Sequence, residues 1–268
     1  MHIRIVRYAI KIGYDGSHFN GFAMQPGKKT VEGEILKRLI KTKMIENRKQ
    51  CKFQYAARTD KGVSAFGNVI ALNAKVNPAK VLQGMDDIWV TGYAIVEKNF
   101  NPRHASYKIY RYYLPNEGYD VEKIKKAAEL FEGEHDFSSF ARKDSRNTRR
   151  RIYRVEVKER EAGEVIKIDF IAPSFLWNQV RRMVAALAAV GKERASIEDI
   201  KGALNGKRVN FGLMEARNLV LLDVIYDIKF KRILPGQLAV KKEIYKDAFD
   251  YISNAAHSWN VGFSKPVE

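Results

Sequence analysis

Cysteine is nearly absent: Cys51 stands alone among 268 residues. One thiol closes no intrachain disulfide and builds no cysteine-rich zinc site, which excludes disulfide-stapled scaffolds and zinc-finger modules. The five histidines (His2, His18, His104, His135, His257) show no metal-ligand spacing. No apolar run approaches the roughly 18–20 residues that a membrane span needs. The opening "MHIRIVRYAIKIGYDG" lacks the apolar stretch and cleavage site of a signal peptide and reads as a strand. With the lone cysteine, this predicts work in a reducing cytoplasm, away from any membrane. Acid is also scarce: 31 Asp/Glu face 48 Lys/Arg, a net charge of +17.

The excess is not confined to a tail. Residues 1–102 carry 17 Lys/Arg against 8 Asp/Glu, and residues 103–268 carry 31 against 23, excesses of +9 and +8. A basic surface spread over both halves suits a long polyanion, with nucleic acid the leading partner class. The chain is 46% hydrophobic, enough for a sizeable core, and long enough for one large domain or two ordinary ones.

Alternation predicts strands over "RIVRYAIKIGYDG", "FQYAA", "GNVIALNAKV", "IWVTGYAIV", "YKIYRYYLP" and "NLVLLDVIYDIKF". "RRIYRVEVKE" and "EVIKIDFIA" read as a hairpin turning near Gly163. Helical spacing marks "TVEGEILKRLIKTKMI" with Thr30 as N-cap, a weak short helix over 78–86, and "DVEKIKKAAELFEG" with Asp120 as N-cap and Gly133 as stop. It also marks "SFLWNQVRRMVAALAAVG", capped by Ser174 and ended by Gly191, and "SIEDIKGALNG". Helices and hairpins intermix, which predicts an α+β fold of two similar halves, 1–102 and 103–268. Each half is a mixed or antiparallel sheet with helices on one face. "NPRHAS" reads as the linker.

One stretch, "AARTDKGVSA" (56–65), puts Asp60 between Arg58 and Lys61 and follows it with Gly62, a residue free to turn the chain. Flanking cations favour the ionised carboxylate, and an ionised, positioned Asp can act as a covalent nucleophile. Taken alone, Asp60 reads sooner as a turn aspartate bonded to its own backbone, because turn aspartates are so common.

The whole string resembles the signature loop of the TruA-type tRNA pseudouridine synthases. Four further segments resemble that family in the same order: "YDGSHFNGFAMQ", "SYKIYRYYLP", "GEHDFSSFAR" and "FLWNQVRRMVAAL". The "DKGVSA" form is more similar to archaeal and eukaryotic members than to bacterial ones. The resemblance implies a pseudouridine synthase fold with a basic central cleft, a homodimer, and a reaction that consumes no cofactor and no metal. It implies that Asp60 is the catalytic aspartate and that Arg58 helps flip the target nucleotide. It further implies that Tyr110 packs on the base and handles the C5 proton, and that Arg181 pairs with Asp60. The substrate would be tRNA, at positions 38–40 of the anticodon stem-loop. Departures from the pattern are Phe22 where Trp is usual, "LQGMDDI" without its Pro, and Asn218 in place of Gly.

Read without the resemblance, Tyr110 is an ordinary strand tyrosine and Arg181 an ordinary helix arginine. The residue types nonetheless suit base isomerisation, which needs a carboxylate near the sugar, an aromatic platform and a wedge that takes the base out of its stack. A second basic run, Arg142 to Arg154, holds seven Lys/Arg and one acid. Its Arg142, Arg149, Arg150 and interleaved Tyr153, with Lys61, are the predicted RNA contacts. Two rivals are a non-catalytic tRNA-binding protein on the same fold and a metal-dependent nuclease built on the Asp86–Asp87 pair.

Overall fold

A computed structural model describes residues 5–142, 147–159 and 164–233. The predicted turn at Gly163, part of the 142–154 basic run, and His2 and His257 lie outside those residues.

The elements run β1 (Val6–Tyr14), α1 (Val31–Lys41), β2 (Gln54–Tyr55), β3 (Ser64–Ala74), α2 (Ala79–Leu82), β4 (Ile88–Val96), β5 (Tyr107–Pro115), α3 (Val121–Glu129), β6 (Gly133–Asp136), β7 (Arg149–Ile152), β8 (Arg154–Glu159), β9 (Val165–Ala172), α4 (Gln179–Gly191), α5 (Ile197–Leu204), β10 (Leu219–Ile225) and β11 (Lys231–Arg232). The sequence marks most helix starts because capping side chains satisfy the first free N–H groups. Thr30 accepts from Gly33 N, and Asp120 from Lys123 N. Ser196 and Asp199 form a reciprocal capping box.

Nine strands join into one mixed sheet in the order β11-β4-β1-β3-β10-β5-β9-β8, with β2 paired to β3. The predicted strand sets of the two halves thus share a single sheet. β10 lies between them, parallel to β3 through Val220–Ser64 and Leu221–Ala65, and antiparallel to β5. Central β3 is buried along almost its whole length, which is why its apolar run is nearly continuous. On β10, Leu219 and Leu221 join the helix-side cores, while Val220 and Leu222 join a smaller cluster on the opposite face. One helix-side core lies under α1, the other under α3, α4 and α5.

A missing side chain makes the join possible. A Cβ on Gly67 of β3 would sit 2.4 Å from Asp223 Oδ1 and 2.8 Å from Leu222 O. Through that space Asp223 crosses β3 and pairs with Lys11 of β1 at 2.6 Å. Further along, Arg111 of β5 and Asp169 of β9 form a buried two-point ion pair at 2.6 and 2.7 Å.

Four expectations need correction. Helix α4 starts at Gln179 rather than after Ser174. Its N-cap is Asn178, in the left-handed region at φ +64 with no side-chain cap bond, and buried Gln179 instead accepts from Leu176 N at 2.7 Å. The strand expected over 150–159 breaks at Tyr153, whose N–H bonds Ile171 O. Its first part, β7, pairs with β6 in a separate two-stranded sheet. The helix after Asp120 ends at Glu129, and Gly133 opens β6 rather than stopping it. The last long strand ends at Ile225, and β11 then crosses to pair with β4.

Candidate active site

The Asp60 loop connects β2 to β3, and buried polar side chains hold it. Asn68, fully buried on β3, bonds both the N–H and the carbonyl of Ala57 and donates to Tyr14 Oη at 3.2 Å. Tyr14 Oη meets Thr59 Oγ1 at 2.8 Å, and burial pushes that phenol's pKa up. Phe22 N donates to Thr59 O at 3.0 Å, so the "GFAMQ" segment braces the loop from the other side. Below it, Lys108 Nζ donates to Ala56 O at 2.8 Å. Burial, with repulsion from Arg103, lowers the Lys108 pKa to about 8. The turn closes with Val63 N on Asp60 O and Gly62 at φ +86, a conformation that favours glycine.

The loop therefore holds Asp60 on a fixed base, half-buried, with its carboxylate free to take partners from across the sheet. Two do. Trp177 Nε1 donates to Asp60 Oδ1 at 3.0 Å, and Arg181 Nη1 lies 3.6 Å from Oδ2. The second distance is an ion pair rather than a hydrogen bond. Arg181 is aimed by its Nε, which donates to Met214 O at 2.6 Å. Both partners sit at the start of α4, where the positive helix end adds to the field on an anion.

The late start of α4 has a use here. Residues before Asn178 run as an irregular lead-in, and this directs Phe175 and Trp177 toward the loop. Phe175 meets the Tyr110 ring edge-to-face at 5.2 Å. Tyr110 is half-buried, and burial first, then Tyr14 and Asp60, raises its pKa. That phenol keeps its proton at neutral pH.

The predicted residues are not all brought together. Asp60, Tyr110 and Arg181 share one site. Arg58 and Lys61 are exposed on the same loop. Arg142 reaches the mouth through Trp177: its guanidinium lies 4.1 Å from the indole centroid, and its backbone N–H donates to Trp177 O at 2.9 Å. Arg149 and Arg150 lie on β7, where Arg149 pairs with Glu134 at 3.3 Å and Arg150 turns back on Asn147 O and Arg149 O. Tyr153 packs with Ile109, Tyr113 and Ile171 on the sheet face opposite the helix-side cores against which Tyr110 packs.

Trp177 was missed: its exposure is a property of the fold, and nothing in "FLWNQVRRM" ties its indole to the Asp60 loop. Among the described residues, no three His, Cys, Asp or Glu side chains gather as a metal site. Asp87 is engaged by Lys29 at 2.8 Å and His18 at 3.4 Å.

A tRNA pseudouridine synthase family model matches residues 127–227. The tRNA pseudouridine synthase A of Pyrococcus abyssi is 45% identical over 265 residues, spanning 96% of this chain and 98% of that protein. The chain belongs to the tRNA pseudouridine synthase A family. The family member of Methanococcoides burtonii is 38% identical across 86% of both chains. Among solved structures, a Cbf5–Nop10–Gar1 complex matches at 16% identity and TM-score 0.36, over 68% of this chain and 45% of that one.

Proposed function

We propose that the protein converts uridine to pseudouridine in tRNA, at positions 38–40 of the anticodon stem-loop, with Asp60 as the catalytic carboxylate. The observation that carries this reading is the Asp60 carboxylate, held between Trp177 and Arg181 on a rigidly anchored loop beside Tyr110.

In the reaction the N1–C1′ bond breaks, the uracil turns, a C5–C1′ bond forms, the C5 proton leaves and N1 gains a proton. Arg181 and the indole N–H hold the Asp60 carboxylate in place, available either to attack the sugar or base or to remove a sugar proton. Half-buried Tyr110 and Phe175 form an aromatic wall against which the detached base stays in place, a proximity effect. Tyr110, its phenol protonated, passes the C5 proton only in concert with an acceptor, and Asp60 is the neighbouring carboxylate. Exposed Arg58 takes the place of the flipped nucleotide, and Arg142 with Lys61 meets the flanking phosphates.

Asp60 comes from residues 1–102, and Tyr110, Trp177 and Arg181 from residues 103–268. We take these as the two walls of the cleft, in a homodimer. The test is pseudouridine mapping on an unmodified tRNA transcript in EDTA, with wild type and Asp60→Ala side by side. Signal at position 38, 39 or 40 from wild type alone is expected. Silence from both with tRNA binding retained would overturn the reading in favour of a non-catalytic binding protein.

A further inference from the structure

A second basic recess opens beside β2, away from the Asp60 carboxylate. It encloses about 560 Å³, within the roughly 300–1,000 Å³ of ligand clefts. Arg7, Arg48, Lys49, Lys52, Lys98 and Arg103 line it, and neither Asp nor Glu does. Arg48 is held by Glu32 at 2.6 Å. The other five cations have no carboxylate in the recess to neutralise them.

Arg7 forms the floor. It is buried, and its guanidinium donates to Phe100 O at 2.9 Å, Lys52 O at 3.3 Å, Asn73 Oδ1 at 3.1 Å and Gln54 Oε1 at 2.5 Å. All four acceptors are neutral. They fix the cation in place without cancelling its charge. On the rim, Lys52 sits at φ +48, a left-handed conformation that costs energy for a residue with a Cβ. Exposed Lys49 and Lys98 flank it.

The recess and the Asp60 loop share a strand. Gln54 and Tyr55 of β2 line the recess, and the five steps along the chain from Tyr55 to Asp60 span at most about 18 Å. Arg103 lies over the Tyr55 ring at 5.7 Å, and that ring also packs on Phe22 of the loop-bracing segment, at 4.8 Å between centroids. The roughly 16 base pairs that a double-stranded-RNA-binding domain spans are longer than that stretch of chain, so an RNA seated at Asp60 has the length to reach the recess.

We propose that this recess is a phosphate-docking site that grips the backbone of the RNA substrate away from the target uridine. The proposal rests on the tRNA-modifying reading above. Its chemistry is that of phosphodiester recognition: a fixed guanidinium floor and mobile lysines, with no acidic group to reject the anion.

The test is the triple variant K49E/K52E/K98E, compared with K126E/K158E/K201E, which makes the same change in net charge elsewhere. Both are assayed on an unmodified full-length tRNA transcript. For the recess variant, KM should rise at least about tenfold with the effect on KM rather than kcat. The salt dependence of tRNA affinity should become shallower, by about 0.9 in log–log slope for each phosphate that the recess no longer neutralises. The control should change KM less than about threefold. Equal weakening by both variants would assign the effect to the whole-molecule field and overturn the proposal, as would an unchanged KM or a loss confined to kcat. If wild type makes no pseudouridine in any transcript, the activity reading fails by itself. The recess is then judged on tRNA affinity and its salt slope, measured by filter binding with the same two variants.

Discussion

Trp177 is the residue whose role turns on a single bond. Trp177→Phe keeps a ring under Arg142 but removes the N–H that Asp60 accepts. A hydrogen bond to a charged group is worth about 1.5–3 kcal/mol, so kcat should fall roughly 10- to 100-fold while tRNA affinity holds. Single-turnover kinetics beside a binding titration separates the two, and a drop in affinity with intact turnover would refute the assignment. Lys108 offers a pH test. Its folded pKa is lowered to about 8, below an unfolded value of about 10.4. The unfolded chain therefore binds more protons between those values, and stability should rise with pH from about 8 to 10.4. Urea melts across that window should show a flatter limb for Lys108→Met than for wild type. Asp60, Arg58 and Gly62 were legible because they share one ten-residue string. Trp177 was not, since the carboxylate it serves lies 117 residues away in the chain, and no local pattern announces such a pairing.

Elements were legible where their ends are decided locally. The caps at Thr30 and Asp120 formed as spacing predicts. The start of α4 did not, because tertiary demands on Phe175 and Trp177 override the helical spacing of "SFLWNQV". The break at Tyr153 is similar: alternation continues through it, but β7 leaves the main sheet to pair with β6. Strand β5 matched its predicted span, and its middle residue carries a prediction. Arg111 and Asp169 are both buried, so Asp169→Asn leaves a buried guanidinium without its counter-charge. Breaking a buried pair this way costs about 3–5 kcal/mol. Arg111→Met with Asp169→Leu should cost less than the single change. Denaturant midpoints of the three proteins decide it, and equal loss in single and double variants would contradict the argument.

Across the whole molecule, charge indicated a polyanion partner, and the intermixed helix and strand patterning indicated an α+β fold with two similar strand sets. The way the sets join was hidden, because β3 meets β10 only after more than a hundred intervening residues. Gly67 is the close approach in that join. Gly67→Ala drives a methyl into Asp223 and the Leu222 carbonyl, so a loss of about 1–3 kcal/mol from overpacking is expected. Double-mutant cycles with Lys11→Met should show coupling through the displaced Asp223, and strict additivity would count against that route. The same join sets a schedule for the newborn chain. Its first 218 residues hold both the Asp60 loop and the Arg181 helix, but lack the strand that binds their sheets side by side. At about 5–20 residues per second, translation leaves a gap on the order of ten seconds between completing β3 and supplying β10. Throughout that interval a strongly basic, unfinished chain sits on a ribosome crowded with RNA, while the two walls of its site await the strand that joins their sheets.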